Sequence, residues 1–227
     1  MYVIIGVLVG FTASIMSNIE EHVTAFRRET ADSLINDDGS GIVLGWLFFS
    51  GISVAMVLVA SIMTVFWGPG ANGSGIAELM GYMNGINYPN VVCFETFVTK
   101  VFGVVLAVLG GLCVGKEGPL AHIGAIIGST VVYLPVRHFH RLRKDFHKRN
   151  MMAAGCSAGV SAAFGAPIGG TLFAFEISKP NVFWKFTILW KACISCTFAV
   201  FTLAVIGSAM KGENISDVNS AVLKFGT

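Results

Sequence analysis

Charge-free apolar runs dominate the chain, at 1–17, 41–77, 101–115, 118–136, 150–175 and 192–210. Several reach or exceed the roughly 20 residues that cross a hydrocarbon core. Backbone polar groups in lipid must be paired within the protein, which leaves helices and closed barrels as spanning structures. The runs do not alternate apolar with polar positions as barrel strands do, so the pattern predicts an all-α integral membrane protein. Helices are predicted at about 1–30, 42–67, 75–86, 92–113, 118–134, 146–164, 167–178 and 184–207. At 1.5 Å per residue the segments 75–86 and 167–178 cover about half a membrane. Both begin at glycine- or proline-containing breaks, which predicts half-helices inside the bilayer.

The punctuation agrees with this division. Pro69, Pro89, Pro119, Pro135, Pro167 and Pro180 all fall near segment junctions, where a missing amide and a fixed φ do least harm. Gly-x-x-x-Gly occurs at 6/10, 41/45, 81/85, 111/115, 124/128, 155/159 and 165/169. About three would arise by chance at this glycine content, so close helix–helix approach is expected. Polar loops are read at 32–41 and 211–227, and no domain boundary is found within 1–227. The first run has neither a basic segment before it nor a small-residue cleavage site after it, and is read as a retained span.

Composition strengthens the membrane reading: 54% of residues are hydrophobic, 12% are charged, and the mean hydropathy is +0.73. Soluble domains carry roughly a quarter charged residues. The net charge of +2 forms no basic stripe, so no nucleic-acid partner is implied. The basic residues gather at 137–149, a stretch that the positive-inside rule places on the cytoplasmic side. It reads as a solvated loop or as a contact to anionic membrane lipid. Cys93, Cys113, Cys156, Cys193 and Cys196 lie in or beside apolar runs and read as small packing residues. Cys193-x-x-Cys196 lacks the second pair a zinc site needs. Two Asn-x-Ser sequons, at Asn72 and Asn214, are weak glycosylation candidates.

Three constellations carry candidate chemistry. In the run 69–78, Gly73 and Gly75 flank Ser74 just before a short helix. A helix start offers unpaired N–H groups and a partial positive charge, so a break within the membrane makes an anion site without a full cation. Ser74 adds a hydroxyl donor; its alternative role is an ordinary N-cap. In the second, Gly115-Lys116-Glu117-Gly118-Pro119, the proline suits a first helical turn and Gly118 permits close backbone approach. Glu117 sets a carboxylate where an external anion would be welcome, and protonation or displacement of that carboxylate would open the site. The alternative is a capping carboxylate paired with Lys116. The third constellation, 155–176, is dense in small residues around a Gly165-Ala166-Pro167 break and reads as a packing surface. Glu176 at its end faces either a vestibule or the interface. His122 is read as a packed, hydrogen-bonded residue, with proton relay as the alternative, and Glu95 and Lys100 as interfacial or paired.

An enzyme reading fails on one residue. Gly110 through Lys116 has the spacing of a phosphate-binding loop, but Glu117 stands where Ser or Thr must hold Mg²⁺, and a carboxylate there repels phosphate.

The three motifs in this order resemble the CLC family of chloride channels and chloride/proton exchangers. The run 73–78 is similar to that family's Gly-Ser-Gly-Ile-Pro signature, 115–119 to its gating-glutamate signature, and 162–170 to its interface-helix signature. Residues 82–86 and the Phe183-Trp184 pair resemble eukaryotic members, especially the plant and the late-endosomal or lysosomal types. The resemblance implies the first of two inverted repeats, with broken, re-entrant half-helices and the ion at the repeat interface. It further implies that 1–227 is one piece of a longer, multi-pass, homodimeric protein. Residue by residue, it makes Ser74 a ligand of the central anion and Glu117 the external gate. Gly73, Gly75, Gly115, Lys116 and Gly118 complete the anion-binding set. Serine at 74 implies chloride as the transported ion, and no cofactor is implied. Two positions depart from the family pattern. Ala77 replaces the usual proline, and Ile177 stands where exchangers usually carry a second acid, which leans toward passive conduction. A non-conducting membrane scaffold is the alternative of another class, and endomembrane or plasma membrane stays open.

Overall fold

The structure is a computed structural model that describes residues 1–35, 41–133, 145–178 and 186–211. All regular elements among these residues are helical: α1 (Tyr2–Leu34), α2 (Ile42–Phe66), α3 (Ile76–Met83), α4 (Phe94–Leu109), α5 (Glu117–Val131), α6 (Asp145–Phe164), α7 (Pro167–Ser178) and α8 (Thr187–Lys211). A short 3-10 turn at Pro69–Ala71 precedes α3. The eight predicted helices are all present. Among the described residues, α1, α2 and α8 are long and apolar enough to cross a membrane.

Helices α3 and α4 each end three or four residues before their predicted ends, for a backbone reason. α3 stops at Met83 because Gly85 turns into the left-handed region (φ 102°), which sends the chain back so that the Ile86 N–H donates to the Gly81 carbonyl at 3.0 Å. α4 stops at Leu109 because Gly111 (φ 78°) does the same, and the Leu112 N–H donates to the Ala107 carbonyl at 3.2 Å. The expected break between α6 and α7 is in place: α6 ends at Phe164, Gly165 has φ 65°, and Pro167 opens α7.

Helix α6 is the centre of the fold, packed against α5, α8, α7 and α1. Its contact with α5 is made by backbone. A Cβ on Gly124 would collide with the Gly155 carbonyl, one on Gly155 with the Gly124 carbonyl, and one on Gly159 with the Leu120 carbonyl. Bare glycines let the two chains meet without side chains between them, which maximises dispersion where lipid supplies no hydrophobic drive between helices. Gly6 and Gly10 seat α1 on the Ser195 and Ala199 carbonyls of α8 in the same way. The remaining Gly-x-x-x-Gly pairs involve helix ends, loops or open space, so the motif marks helix contact at three places and turns elsewhere.

α2 buries Gly45 and Ala60 and presents Trp46, Leu47, Val54, Leu58, Ile62 and Phe66 outward, as a lipid-facing helix does. Cys156 and Cys196 are buried as expected of packing residues, whereas Cys113 is exposed in the link between α4 and α5. Residues 137–144, Pro135, Pro180, Phe183, Trp184, Asn214, half of the predicted 32–41 loop and all of 212–227 lie outside the described residues.

Candidate functional site

The link from Trp67 to Gly75 is held against one stripe of α4. Thr96, Thr99 and Lys100, at i, i+3 and i+4, share a face and are all buried. Gly70 lies against Thr96 and the Asn90 carbonyl, Gly68 against the Thr99 hydroxyl, and neither has space for a Cβ. Thr96 Oγ1 donates to the Asn90 carbonyl at 2.5 Å. Lys100 Nζ donates to the Ala71 carbonyl at 3.0 Å and to the Gly73 carbonyl at 2.9 Å. The chain then rises through two left-handed glycines, Gly73 (φ 62°) and Gly75 (φ 78°), and enters α3. Only glycine enters that region without strain, which is why a Gly-Ser-Gly triplet stands here.

Gly75 is buried against the ring of His122, where a Cβ would overlap Nδ1. His122 is fully buried on α5, and its Nε2 lies 2.9 Å from the Val91 carbonyl, an acceptor that makes Nε2 the protonated nitrogen. The packed reading of His122 therefore holds. Ser74 itself is exposed. The Ile76 N–H donates to its Oγ at 3.4 Å, but Gly75 is the N-cap of α3 and no side chain caps that helix, so the N-cap alternative for Ser74 is not the arrangement found.

The start of α5 meets the start of α3. A Cβ on Gly118 would sit 2.7 Å from the Ser74 Cβ, so the two helix tips touch through a position that must be glycine. Pro119 stands in the first turn of α5, where its missing amide is not needed, and the Leu120 N–H closes that turn on the Lys116 carbonyl at 2.9 Å. Glu117 is half-buried, and its Oε2 folds back onto Gly115, where a Cβ would overlap it. Lys116 Nζ is in an ion pair with Glu20 Oε2 of α1 at 2.9 Å. The partner of Lys116 is thus Glu20, and the capping alternative in which it pairs with Glu117 is not the arrangement found.

A cavity of about 760 Å³ opens beside these tips. Gly73, Ser74, Lys100, Gly115 and Pro119 contribute its polar end, and Val57, Val104 and Leu112 are among its apolar wall. Of the residues singled out in the sequence, Gly73, Ser74 and Gly115 line this cavity, Gly118 touches Ser74, and Gly75 lies behind it on His122. The Lys116 side chain is directed to α1, and Glu117 lies over Gly115.

The expectation for Lys100 needs correction. It is 2% exposed, not interfacial, and its charge faces two carbonyls of the serine loop. The cost of burying an ammonium, several kcal/mol for an unpaired ion, is offset by those charge-assisted bonds. Glu95, in the first turn of the same helix, is exposed. The signal that could have found Lys100 is the polar stripe Thr96-x-x-Thr99-Lys100 on an otherwise apolar helix. Glu176 is exposed, whereas the Ile177 beside it is buried with Leu79 and Met83.

Two helices thus touch at their N-terminal ends beside a cavity, with a carboxylate at one tip and a serine at the other, in an all-helical protein of the membrane class. The family described as voltage gated chloride channel matches residues 56–222, and the chain belongs to that family. It is 36% identical over 233 residues to the H(+)/Cl(-) exchange transporter 7 of Homo sapiens, covering 98% of this chain and 29% of that protein. It is 34% identical to chloride channel protein A of Dictyostelium discoideum, over 98% of this chain and 26% of the relative. Chloride channel protein CLC-d of Arabidopsis thaliana is 37% identical over 74% of this chain and 22% of its own length. The chain therefore spans less than a third of these relatives. The fold is that of a slow cyanobacterial Cl-/H+ antiporter (TM-score 0.76, 23% identity, 90% of this chain and 45% of that one). It is equally that of a eukaryotic CLC transporter (TM-score 0.74, 24% identity, 88% and 37%).

Proposed function

We propose that this chain supplies the first half of a chloride pathway, in which the starts of α3 and α5 present backbone amides to the ion and Glu117 competes with it as a gate. The observation that carries the reading is the contact of Gly118 with Ser74, which brings two electropositive helix ends to one point beside the cavity. Neutral donors suit conduction, because an ion must leave as readily as it enters. Lys100 fits this rule: two of its three N–H groups donate to the Ala71 and Gly73 carbonyls, so it lends the loop a positive field while its ammonium is held by the backbone. Ser74, Gly73, Gly75, Gly115, Gly118 and the backbone of Lys116 form the proposed anion-binding set. The substrate assignment is supported by the names of the relatives, which specify chloride.

Passive conduction is favoured by Ile177, which packs into an apolar cluster and carries no proton. Coupled exchange is favoured by the name of the human relative. Reconstituting the full-length protein that contains this chain and measuring its reversal potential under a pH gradient separates the two. A potential that ignores the proton gradient is expected, and one that tracks it selects exchange. Chloride flux absent at every pH would overturn the proposal itself. Homodimerisation of the full-length protein belongs to the same proposal.

A further inference from the structure

Lys116 and Glu20 lie 96 positions apart and meet at 2.9 Å, joining the middle of α1 to the residue immediately before Glu117. The Glu20 side chain is 12% exposed and the Lys116 side chain 34%. Among the described residues the second Glu20 oxygen, Oε1, is buried with no hydrogen-bond partner, and the bond to Lys116 is the one hydrogen bond this carboxylate makes. Glu20 is not covered by the family match, which begins at residue 56.

The pairing decides where one mobile positive charge sits. Lysine carries a compact ammonium on a flexible four-carbon stem, and whatever anion lies within reach competes for it. Two carboxylates and a transiting anion surround Lys116: Glu20 on α1, Glu117 next in sequence, and the proposed ion. With Glu20 holding the ammonium, the Glu117 carboxylate rests on the Gly115 backbone without a lysine partner. An interaction of that kind is readily exchanged, whereas a direct ion pair would hold the carboxylate in its charged form. The other charged or titratable groups on elements packed about α5 are Tyr2, Glu21, His22, Arg27, Arg28, Glu29 and Asp32 on α1, Glu78 and Tyr82 on α3, Glu95 and Lys100 on α4, and His122 on α5 itself. The part of α6 that packs on α5, within 150–164, carries no charge.

We infer that Glu20 is a positioning residue for the gate, holding the Lys116 ammonium on α1 and away from Glu117 and the anion path. The inference rests on the proposed gating role of Glu117. Losing Glu20 frees a cation beside the gate, which favours ionised Glu117, so opening by protonation moves to lower pH. Losing Lys116 leaves an uncompensated Glu20 carboxylate near the gate and moves opening to higher pH. Losing both leaves no net change in charge.

The test is the pH dependence of chloride flux through the full-length protein in liposomes, for wild type, Glu20→Gln, Lys116→Gln, the double variant and Glu117→Gln. Glu20→Gln is expected to move the midpoint about one unit acid, the low end of the effect of an opposite charge within 4–6 Å. Lys116→Gln is expected to move it alkaline, and the double variant to return it to the wild-type value. A structural role alone would not give shifts of opposite sign that cancel. A midpoint unmoved by Glu20→Gln, or a Glu20→Gln shift that persists without Lys116, overturns the inference. Loss of folded protein in all three pair variants also overturns it, since the pair would then be a packing element. Glu117→Gln is the control for the reading beneath: if it keeps the wild-type pH profile the gate itself is wrong, whereas a flat profile with no Glu20 effect sinks the positioning role alone.

Discussion

At the scale of single residues, the site is an exercise in where a Cβ cannot go. Gly75 combines a φ of 78° with a His122 ring at van der Waals distance, so Gly75→Ala carries both backbone strain and a clash. Left-handed strain alone costs about 1–3 kcal/mol. The variant is expected to lower the melting temperature of the detergent-solubilised full-length protein, and His122→Ala in the same background is expected to recover part of the loss by making room. Lys100 works in the opposite sense, through bonds made. Lys100→Met preserves the stem but leaves the Ala71 and Gly73 carbonyls without their donor. Hydrogen bonds to charged groups contribute about 1.5–3 kcal/mol each. If the serine loop binds the ion as proposed, removing the ammonium beside it is expected to weaken chloride binding in a calorimetric titration of the variant. Unchanged affinity would remove Lys100 from the site.

At the scale of elements, the α5–α6 contact fixes the direction in which α5 points its first turn. Gly124 and Gly155 meet carbonyl to Cα, so Gly155→Leu forces the helices apart by the thickness of a side chain. Overpacking typically costs about 1–3 kcal/mol, and with no compensating space here the upper end is expected. Size-exclusion chromatography should show aggregated or dissociated protein for Gly155→Leu and normal protein for Gly51→Leu, since Gly51 has open space around it. Elements were also the scale at which the sequence was most legible. Uncharged runs, prolines and glycine breaks placed all eight helices, because backbone satisfaction in lipid leaves few alternatives. Helix ends were misjudged at Met83 and Leu109, where a single left-handed glycine, not hydropathy, stops the helix. The serine and glutamate motifs were legible as helix starts because that signal is local, contained within a few residues. Lys100 and Glu20 were not. Their partners are 27 and 96 residues away, and no spacing rule connects a buried charge to a distant carbonyl or ammonium.

At the scale of the whole molecule, the proposed ion site stands at one edge of the described helices. Ser74 and Gly115 are exposed, and α2 walls the cavity on its apolar side. Such transporters place the ion between two inverted halves, so a single half offers one wall of a site that needs two. The 227-residue chain reconstituted alone is therefore expected to give no selective chloride flux in a liposome efflux assay, while the full-length protein conducts. Selective flux from the short chain would mean that one repeat suffices. The central claim is that the tips of α3 and α5 converge on a chloride that Glu117 rivals. The most direct measurement is anomalous diffraction from crystals of the full-length protein grown in bromide, for wild type and for Glu117→Gln. A bromide peak within hydrogen-bonding distance of Ser74 Oγ is expected in both, with a second peak at the start of α5 in the variant, where the charged carboxylate no longer competes. Bromide bound elsewhere in both crystals, with none between Ser74 and Gly118, would contradict it.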